Sequence, residues 1–206
     1  MPGTAVRGKR MSAEFDPEAD LAACQAMADE FEAYIESDVL YGQMDTARPG
    51  GAQLPKLTIG GFLERARRLQ AASLSPTQRA ALGDSIRRFE QVRDTHRRRY
   101  ETHALHDLRG RLDSWAWYLD DYAKQPNEEA PYYPSRAHTR LAIALLLDEL
   151  ANDPEAASFE QRLVVLDKQL RTDWTDGAFV WQRSLAHAFP HELYWWLYGR
   201  LRLVHV

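Results

Sequence analysis

The longest helical pattern in the chain, from Ser75 to about Tyr122, constrains the fold more than any other feature. Apolar residues recur there at the spacing that places side chains on one face of a helix, and the anchors are Leu82, Ile86, Phe89, Tyr100, Leu108, Leu112, Trp115, Leu119 and Tyr122. An unbroken helix of this length would measure ~70 Å. A compact globule of 206 residues has a diameter of only ~43 Å. The helix must therefore project from the body, make the molecule elongated, or break.

A change of direction in this helix is expected between Ala104 and Gly110. The apolar stripe turns by about a quarter of the helix circumference between its two halves. Glycine is also a weak helix former, so Gly110 is the natural point of interruption. We therefore predict a bend, or a change of packing partner, in this region.

Three helix starts share one pattern, in which an acceptor side chain precedes a proline: Asp16-Pro17, Ser75-Pro76 and Asp153-Pro154. The acceptor caps free amides, and proline fits the first turn. Together with apolar periodicity, such signals predict further helices at Pro17–Glu36, Thr58–Ala72, Ser135–Ala151 and Pro154–Thr172. The expected fold is an all-α antiparallel bundle of about five helices around the long central helix. The aromatic-rich C-terminal segment is expected to be irregular, with one short helix from Pro190.

Composition predicts a soluble, cytoplasmic protein. We expect a disordered tail over residues 1–15, a single helical domain over residues 16–206, and a mobile Gly/Pro-rich connection from Ser37 to Lys56. The tail lacks the apolar stretch of a secretory signal. The longest apolar run, Leu141–Leu147, is too short to span a membrane. Cys24 is the single cysteine, which excludes an internal disulfide.

Four histidines form the candidate metal site. His96 and His103 fall near the apolar stripe of the long helix, and His103 and His106 are three residues apart, a spacing that can bring two imidazoles to one divalent ion. His138 on the next helix could complete the site if the two helices face each other. The alternatives are a solvated helix face or hydrogen-bonded core histidines.

Two further features concern partners. The C-terminal aromatic residues, above all Trp181, Trp195, Trp196 and Tyr198, either cap the bundle or form a contact surface, since tryptophan and tyrosine dominate interface hot spots. Six arginines between Arg87 and Arg99 are interleaved with acids, and the net charge is −4. A nucleic-acid partner is therefore not favoured.

The sequence contains no serine nucleophile elbow, dinucleotide fingerprint or phosphate loop. Gly60-Gly61, at the start of the second helix, can allow close packing or an anion at the amide end, and the missing phosphate loop favours close packing. We expect a non-enzymatic protein-interaction or scaffold module that self-associates or binds a protein partner. The alternatives are a metal-binding helical-bundle enzyme that uses the histidines and, below it, a nucleic-acid accessory protein.

Overall fold

The computed structural model describes residues 15–37 and 56–203. The predicted mostly helical fold is confirmed. The helices and strands are α1 Pro17–Glu36, α2 Ile59–Ala71, α3 Pro76–Thr95, α4 Arg97–Lys124, α5 Pro126–Glu129, α6 Tyr133–Glu149, α7 Ala156–Thr172, β1 Trp174–Phe179 and β2 Tyr198–Leu201. The predictions of a disordered tail and a mobile connection fall mainly on residues 1–14 and 38–55, outside the described residues.

The helix starts follow their capping signals. Asp16 accepts hydrogen bonds from two amides in the first turn of α1, at 3.0 and 3.2 Å. Ser75 and Gln78 form a reciprocal capping box at the start of α3, with hydrogen bonds of 2.9 and 3.2 Å. Thr58 caps α2 by accepting a hydrogen bond from the Gly61 amide at 3.0 Å. Local sequence therefore sets where these three helices begin.

The long helix breaks at His96, and the interruption expected at Gly110 is wrong because α4 is continuous there. The bend or change of packing partner expected between Ala104 and Gly110 stays a prediction. His96 leaves helical geometry with φ −112° and ψ 36° and lies between α3 and α4. Gly110 is an ordinary residue inside α4. The break lies where the main packing partner changes, because α3 packs mainly on α1 whereas α4 packs mainly on α6.

One hydrophobic core joins the helices. Its centre at the α3–α4 junction is a cluster of aromatic rings, in which Phe62 and Phe89 stack with ring centroids 4.3 Å apart. Phe31 of α1 stacks on Phe89 at 4.4 Å and meets Tyr100 of α4 edge-on at 6.3 Å. The same α1 ring therefore contacts side chains on both sides of the His96 break.

The C-terminal segment contains a two-stranded antiparallel sheet and two short 3-10 turns, which the sequence did not predict. Strands β1 and β2 pair with Trp174 opposite Leu201. A short 3-10 turn at Trp195–Leu197 replaces the helix expected from Pro190. Gly199 has a φ of 156°, and a Cβ there would overlap the Trp174 ring, so glycine allows this close approach.

Candidate functional site: a charged pocket beside α2

A cavity of about 600 Å³ opens between α1, α2 and α6, with one side chain contributed by α4. Its ionisable lining residues are Asp16, Asp20, Lys56, Glu64, Arg65, Arg68, Arg111 and His138. Polar hydroxyls from Ser135 and Thr139 on α6 complete the wall facing α2. Such a mixture of charges in a concave site needs internal pairing, because a buried ion without a partner is strongly destabilising.

The first turn of α2 forms one end of this cavity. The Gly60 amide donates a hydrogen bond of 2.7 Å to Asp107 of α4, and the same carboxylate accepts one of 2.8 Å from Arg111. A Cβ on Gly60 would lie 2.7 Å from Arg111 Nε and 2.9 Å from Leu146. Close packing at Gly60 is therefore present as predicted, and the anion at the amide end is the protein's own Asp107.

Glu64 is the most buried carboxylate of the cavity wall, with 5% of its surface exposed. Its Oε1 lies 2.6 Å from His138 Nδ1 and 2.6 Å from Arg68 Nε. Burial alone would raise the pKa of Glu64, but the hydrogen bond from His138 and the charge of Arg68 outweigh it and lower the pKa to about 2. Glu64 is therefore ionised throughout the physiological range.

The ionised Glu64 determines which nitrogen of His138 carries a proton. A carboxylate can only accept hydrogen bonds, so Nδ1 of His138 must be the donor. The side chain lines the cavity and is 33% exposed, which leaves Nε2 as the nitrogen available to a bound molecule. The Trp181 ring stacks on the imidazole at 4.5 Å and 15°, and its indole N–H donates to the Pro134 carbonyl at 2.8 Å. His138 is thus held by a carboxylate at one edge and by an aromatic ring on one face.

Asp20 and Glu64 both contact Arg68, but their pKa values are displaced in opposite directions. Arg68 Nη2 lies 2.8 Å from Asp20 Oδ2, and Arg65 Nε lies 3.6 Å from Asp20 Oδ1. Burial raises the pKa of Asp20 in spite of both arginines. Two carboxyl groups on one guanidinium therefore have pKa values displaced in opposite directions, a pattern typical of sites that separate proton donors from proton acceptors.

The four predicted metal ligands lie in different surroundings. His103 is buried, with Nε2 3.2 Å from the Ser37 carbonyl oxygen, and its ring meets Tyr34 edge-on. His106 is partly exposed on α4. His138 lies in the charged pocket against Glu64.

His96 has carboxylate neighbours rather than histidine neighbours. Its Nε2 lies 3.5 Å from Glu32 Oε1 and 4.0 Å from Glu36 Oε1. Over residues 15–37 and 56–203, this trio is the only group of three or more candidate ligands whose atoms lie within 4.8 Å of one another. The structure therefore does not bring the four predicted histidines together, and metal binding by them stays a prediction.

The predicted interaction residues all have contacts within the chain. Trp196 is 4% exposed and lies under the Arg140 guanidinium at 3.7 Å. Trp195 lies against Arg171, and Trp181 stacks on the imidazole of His138. Tyr198 donates to backbone carbonyls at 2.7 and 3.0 Å. These contacts fit the capping alternative, and the interaction role stays a prediction.

Sequence reasoning missed an exposed aromatic residue on α4. Trp117 is 68% exposed, although nearby Trp115 is fully buried. The signal was present, because residues two apart on a helix point to different sides, and Trp115 occupies the apolar stripe.

The arginine-rich face is largely neutralised. Arg87 pairs with Asp84, Arg88 with Asp29, Arg93 with Asp94, and Arg97 with Glu101. Arg99 donates to the carbonyl of Glu36. The basic groups are thus tied to acids and carbonyls along α1, α3 and α4.

Sequence reasoning missed Asp20, Glu64, Arg65 and Arg68 as a group. Glu64 and His138 are 74 residues apart in the chain, and no local spacing connects them. Apolar periodicity gave no signal either, because Glu64 lies on the opposite side of α2 from the stripe formed by Ile59, Phe62, Ala66 and Leu69.

No family model, curated protein or solved structure matches this chain. None of the helices described over residues 15–37 and 56–203 is long and apolar enough to cross a membrane. The geometry of the charged pocket is therefore the main guide to function.

Proposed function

We propose that this protein binds a small molecule in the charged pocket and that His138, oriented by Glu64, exchanges a proton with it. The observation that carries the proposal is the 2.6 Å contact between Glu64 and His138 in the wall of a cavity of about 600 Å³. This volume falls in the usual range for small-molecule sites. A histidine oriented by a carboxylate and open at its second nitrogen is the usual arrangement of a general base.

His138 is enclosed on two sides. Its imidazole lies against the Glu64 carboxylate and the face of Trp181, which hold its orientation toward the cavity. Asp20, whose pKa is raised by burial, is a second carboxyl group in the cavity wall.

The proposal is tested with a fragment library of weak acids, weak bases and neutral polar molecules, screened by saturation-transfer NMR. Fragments should bind the wild type and lose affinity at least about tenfold in His138→Gln, the effect of removing one hydrogen bond to a charged group. His187→Gln is the matched control, because His187 is exposed and bonds only to the nearby Ser184 carbonyl in the described structure. Fragments that bind His138→Gln as well as wild type, or no binding at all, would refute the proposal.

The protein-interaction function expected from the sequence is a second candidate, favoured by the exposure of Trp117. On α7, which packs against α4, Val164 and Val165 are also exposed, at 53% and 63%. Isolated exposed tryptophan is a common interface anchor. Light scattering over a range of concentrations tests self-association, which Trp117→Gln should weaken. A strictly monomeric wild type without a copurifying partner would remove this candidate.

The metal-binding alternative also stays a proposal, now with a definite place to test it. His96 should be the histidine whose loss matters, because Glu32 and Glu36 are the carboxylates near its ring. Metal content of untagged protein, compared between wild type, His96→Ala and His106→Ala, tests this alternative.

A further inference from the structure

From the charges around the first turn of α2, we propose that the ligand of the charged pocket carries an oxyanion, a carboxylate or a phosphate, that binds between Arg65 and Arg111. This inference rests on the proposed small-molecule function of the pocket and adds the chemical class of the ligand. It concerns the end of the cavity formed by Gly61.

Two guanidinium groups flank one point on α2. A Cβ placed on Gly61 would lie 3.4 Å from Arg65 Nη1 and 3.8 Å from Arg111 Nη2. Like charges this close repel each other in a partly enclosed site. An oxyanion between them would relieve the repulsion and match the planar donor geometry of both arginines.

The acids of the cavity leave these two arginines with donors to spare. Glu64 is bonded to Arg68 and His138, and Asp20 makes its short contact with Arg68. Arg65 Nη1 donates a hydrogen bond of 2.9 Å to the Gly61 carbonyl oxygen, which holds the guanidinium beside that residue. Its Nε lies 3.6 Å from Asp20, too far for a hydrogen bond, and this buried nitrogen has no hydrogen-bond partner. The Arg65 guanidinium is therefore only partly satisfied by the protein.

Arg111 is satisfied on one side only. Its Nε donates to Asp107 at 2.8 Å and one Nη donates to Thr58 at 2.9 Å. These bonds fix the plane of the guanidinium while its side chain keeps 20% of its surface exposed toward the cavity. The Gly60 and Gly61 N–H groups already donate to Asp107 and Thr58, so the donors for a bound oxyanion are the two arginines.

The positions of the groups suggest how the ligand lies. Its oxyanion would sit at Arg65 and Arg111, and its remaining polar part would extend toward Ser135, Thr139 and His138 on α6. The ligand class is therefore a small polar acid with a proton-bearing group opposite its anionic end.

The test measures binding of inorganic phosphate, malonate, a neutral diol and a small amine at constant ionic strength, by calorimetry on wild type, Arg65→Gln and Arg65→Lys. Phosphate or malonate should bind wild type and weaken about tenfold or more in Arg65→Gln, as expected for a lost charge-assisted hydrogen bond. Arg65→Lys should retain part of the affinity, since it keeps the charge but loses the fork. Arg98→Gln, an exposed arginine on α4, is the control and should bind like wild type.

The outcomes distinguish the oxyanion inference from the proposed small-molecule function of the pocket. Phosphate preferred over malonate would identify a phosphate ligand, and the reverse a carboxylate. If only the diol or the amine binds, and His138→Gln abolishes that binding, the oxyanion inference is wrong while the pocket function stands. Anion binding that is equal in wild type and a folded Arg65→Gln also overturns it. If nothing binds, both proposals fail together.

Discussion

Replacing Glu64 by glutamine should make the stability of this protein less dependent on acid pH. The substitution keeps the size and a hydrogen-bond acceptor for His138 but removes the buried negative charge between His138 and Arg68. Asp20 then becomes the only carboxylate beside Arg68, and its single short contact does not replace the two that Glu64 makes.

The magnitude follows from the pKa of Glu64, about 2 in the folded protein against 4.5 for an unperturbed glutamate. That difference corresponds to about 3 kcal/mol of folding free energy, at about 1.4 kcal/mol for each tenfold change in proton affinity. Because the folded-state pKa is the lower one, this stability is present above the unfolded-state pKa. It is lost as the pH falls through the range between the two values.

The assay is urea unfolding followed by tryptophan fluorescence, from about pH 7 to about pH 3. The difference in unfolding free energy between wild type and Glu64→Gln should be about 3 kcal/mol near neutrality and fall by about half near pH 3. Glu101→Gln is the matched control, because Glu101 forms the same i,i+4 pair with Arg97 in a more exposed position. It should change stability by less than about 1 kcal/mol. A wild-type advantage over Glu64→Gln that stays constant over this pH range would refute the reasoning.

Four further predictions concern packing, thiol reactivity and a buried ion pair. Gly60→Ala should destabilise by about 1–3 kcal/mol in urea unfolding, because its Cβ would overlap the hydrogen-bonded Arg111 guanidinium and the buried Leu146 side chain. Gly83→Ala, whose Cβ would meet only a flexible side chain at 3.4 Å, should be neutral or stabilising by up to about 1 kcal/mol. Cys24 should not react with thiol reagents in the folded protein, since burial raises the pKa of its thiol to about 12. It should react at once in urea, and rapid labelling of the folded protein would contradict its burial. Arg140→Lys should cost about 1–3 kcal/mol, because lysine cannot reproduce the paired hydrogen bonds of 3.0 and 2.8 Å to Asp167, and an unchanged unfolding midpoint would count against this.

The sequence predicted what local signals determine. The bounds of α1 were predicted at Pro17 and Glu36, where they lie, because proline at the first turn and apolar periodicity act over a few residues. The fifth predicted helix begins at Ala156 rather than at Pro154, because Asp153 caps a turn at Glu155 before the helix starts.

Features that depend on packing were not predictable in the same way. The break at His96 coincides with a change of the main packing partner from α1 to α6. No residue type near His96 predicts this change. Gly110 was the better local candidate, but α4 is helical through it. The two-stranded sheet was missed because its strands are short and β1 is mostly exposed, so no alternation marks them.

Only part of the candidate site could be predicted from the sequence. His138 was identified as a chemically interesting residue, but its partner was expected among histidines of the long helix. The partner is Glu64 on α2, and the contact exists because α2 and α6 pack together.

The charged pocket also has a consequence for how binding competence arises during synthesis. Phe15 accepts a hydrogen bond from Gln182, 167 residues later, and the neighbouring Trp181 closes over His138. A nascent chain lacks this tryptophan until most of the described residues have emerged from the ribosome. Contacts of such high sequence separation form late and slowly. A chain truncated before Trp181 would lack the ring that covers the His138 imidazole and would also lose the buried core residues Phe189 and Trp196. Under the proposed function, ligand binding would therefore require the complete C-terminal segment.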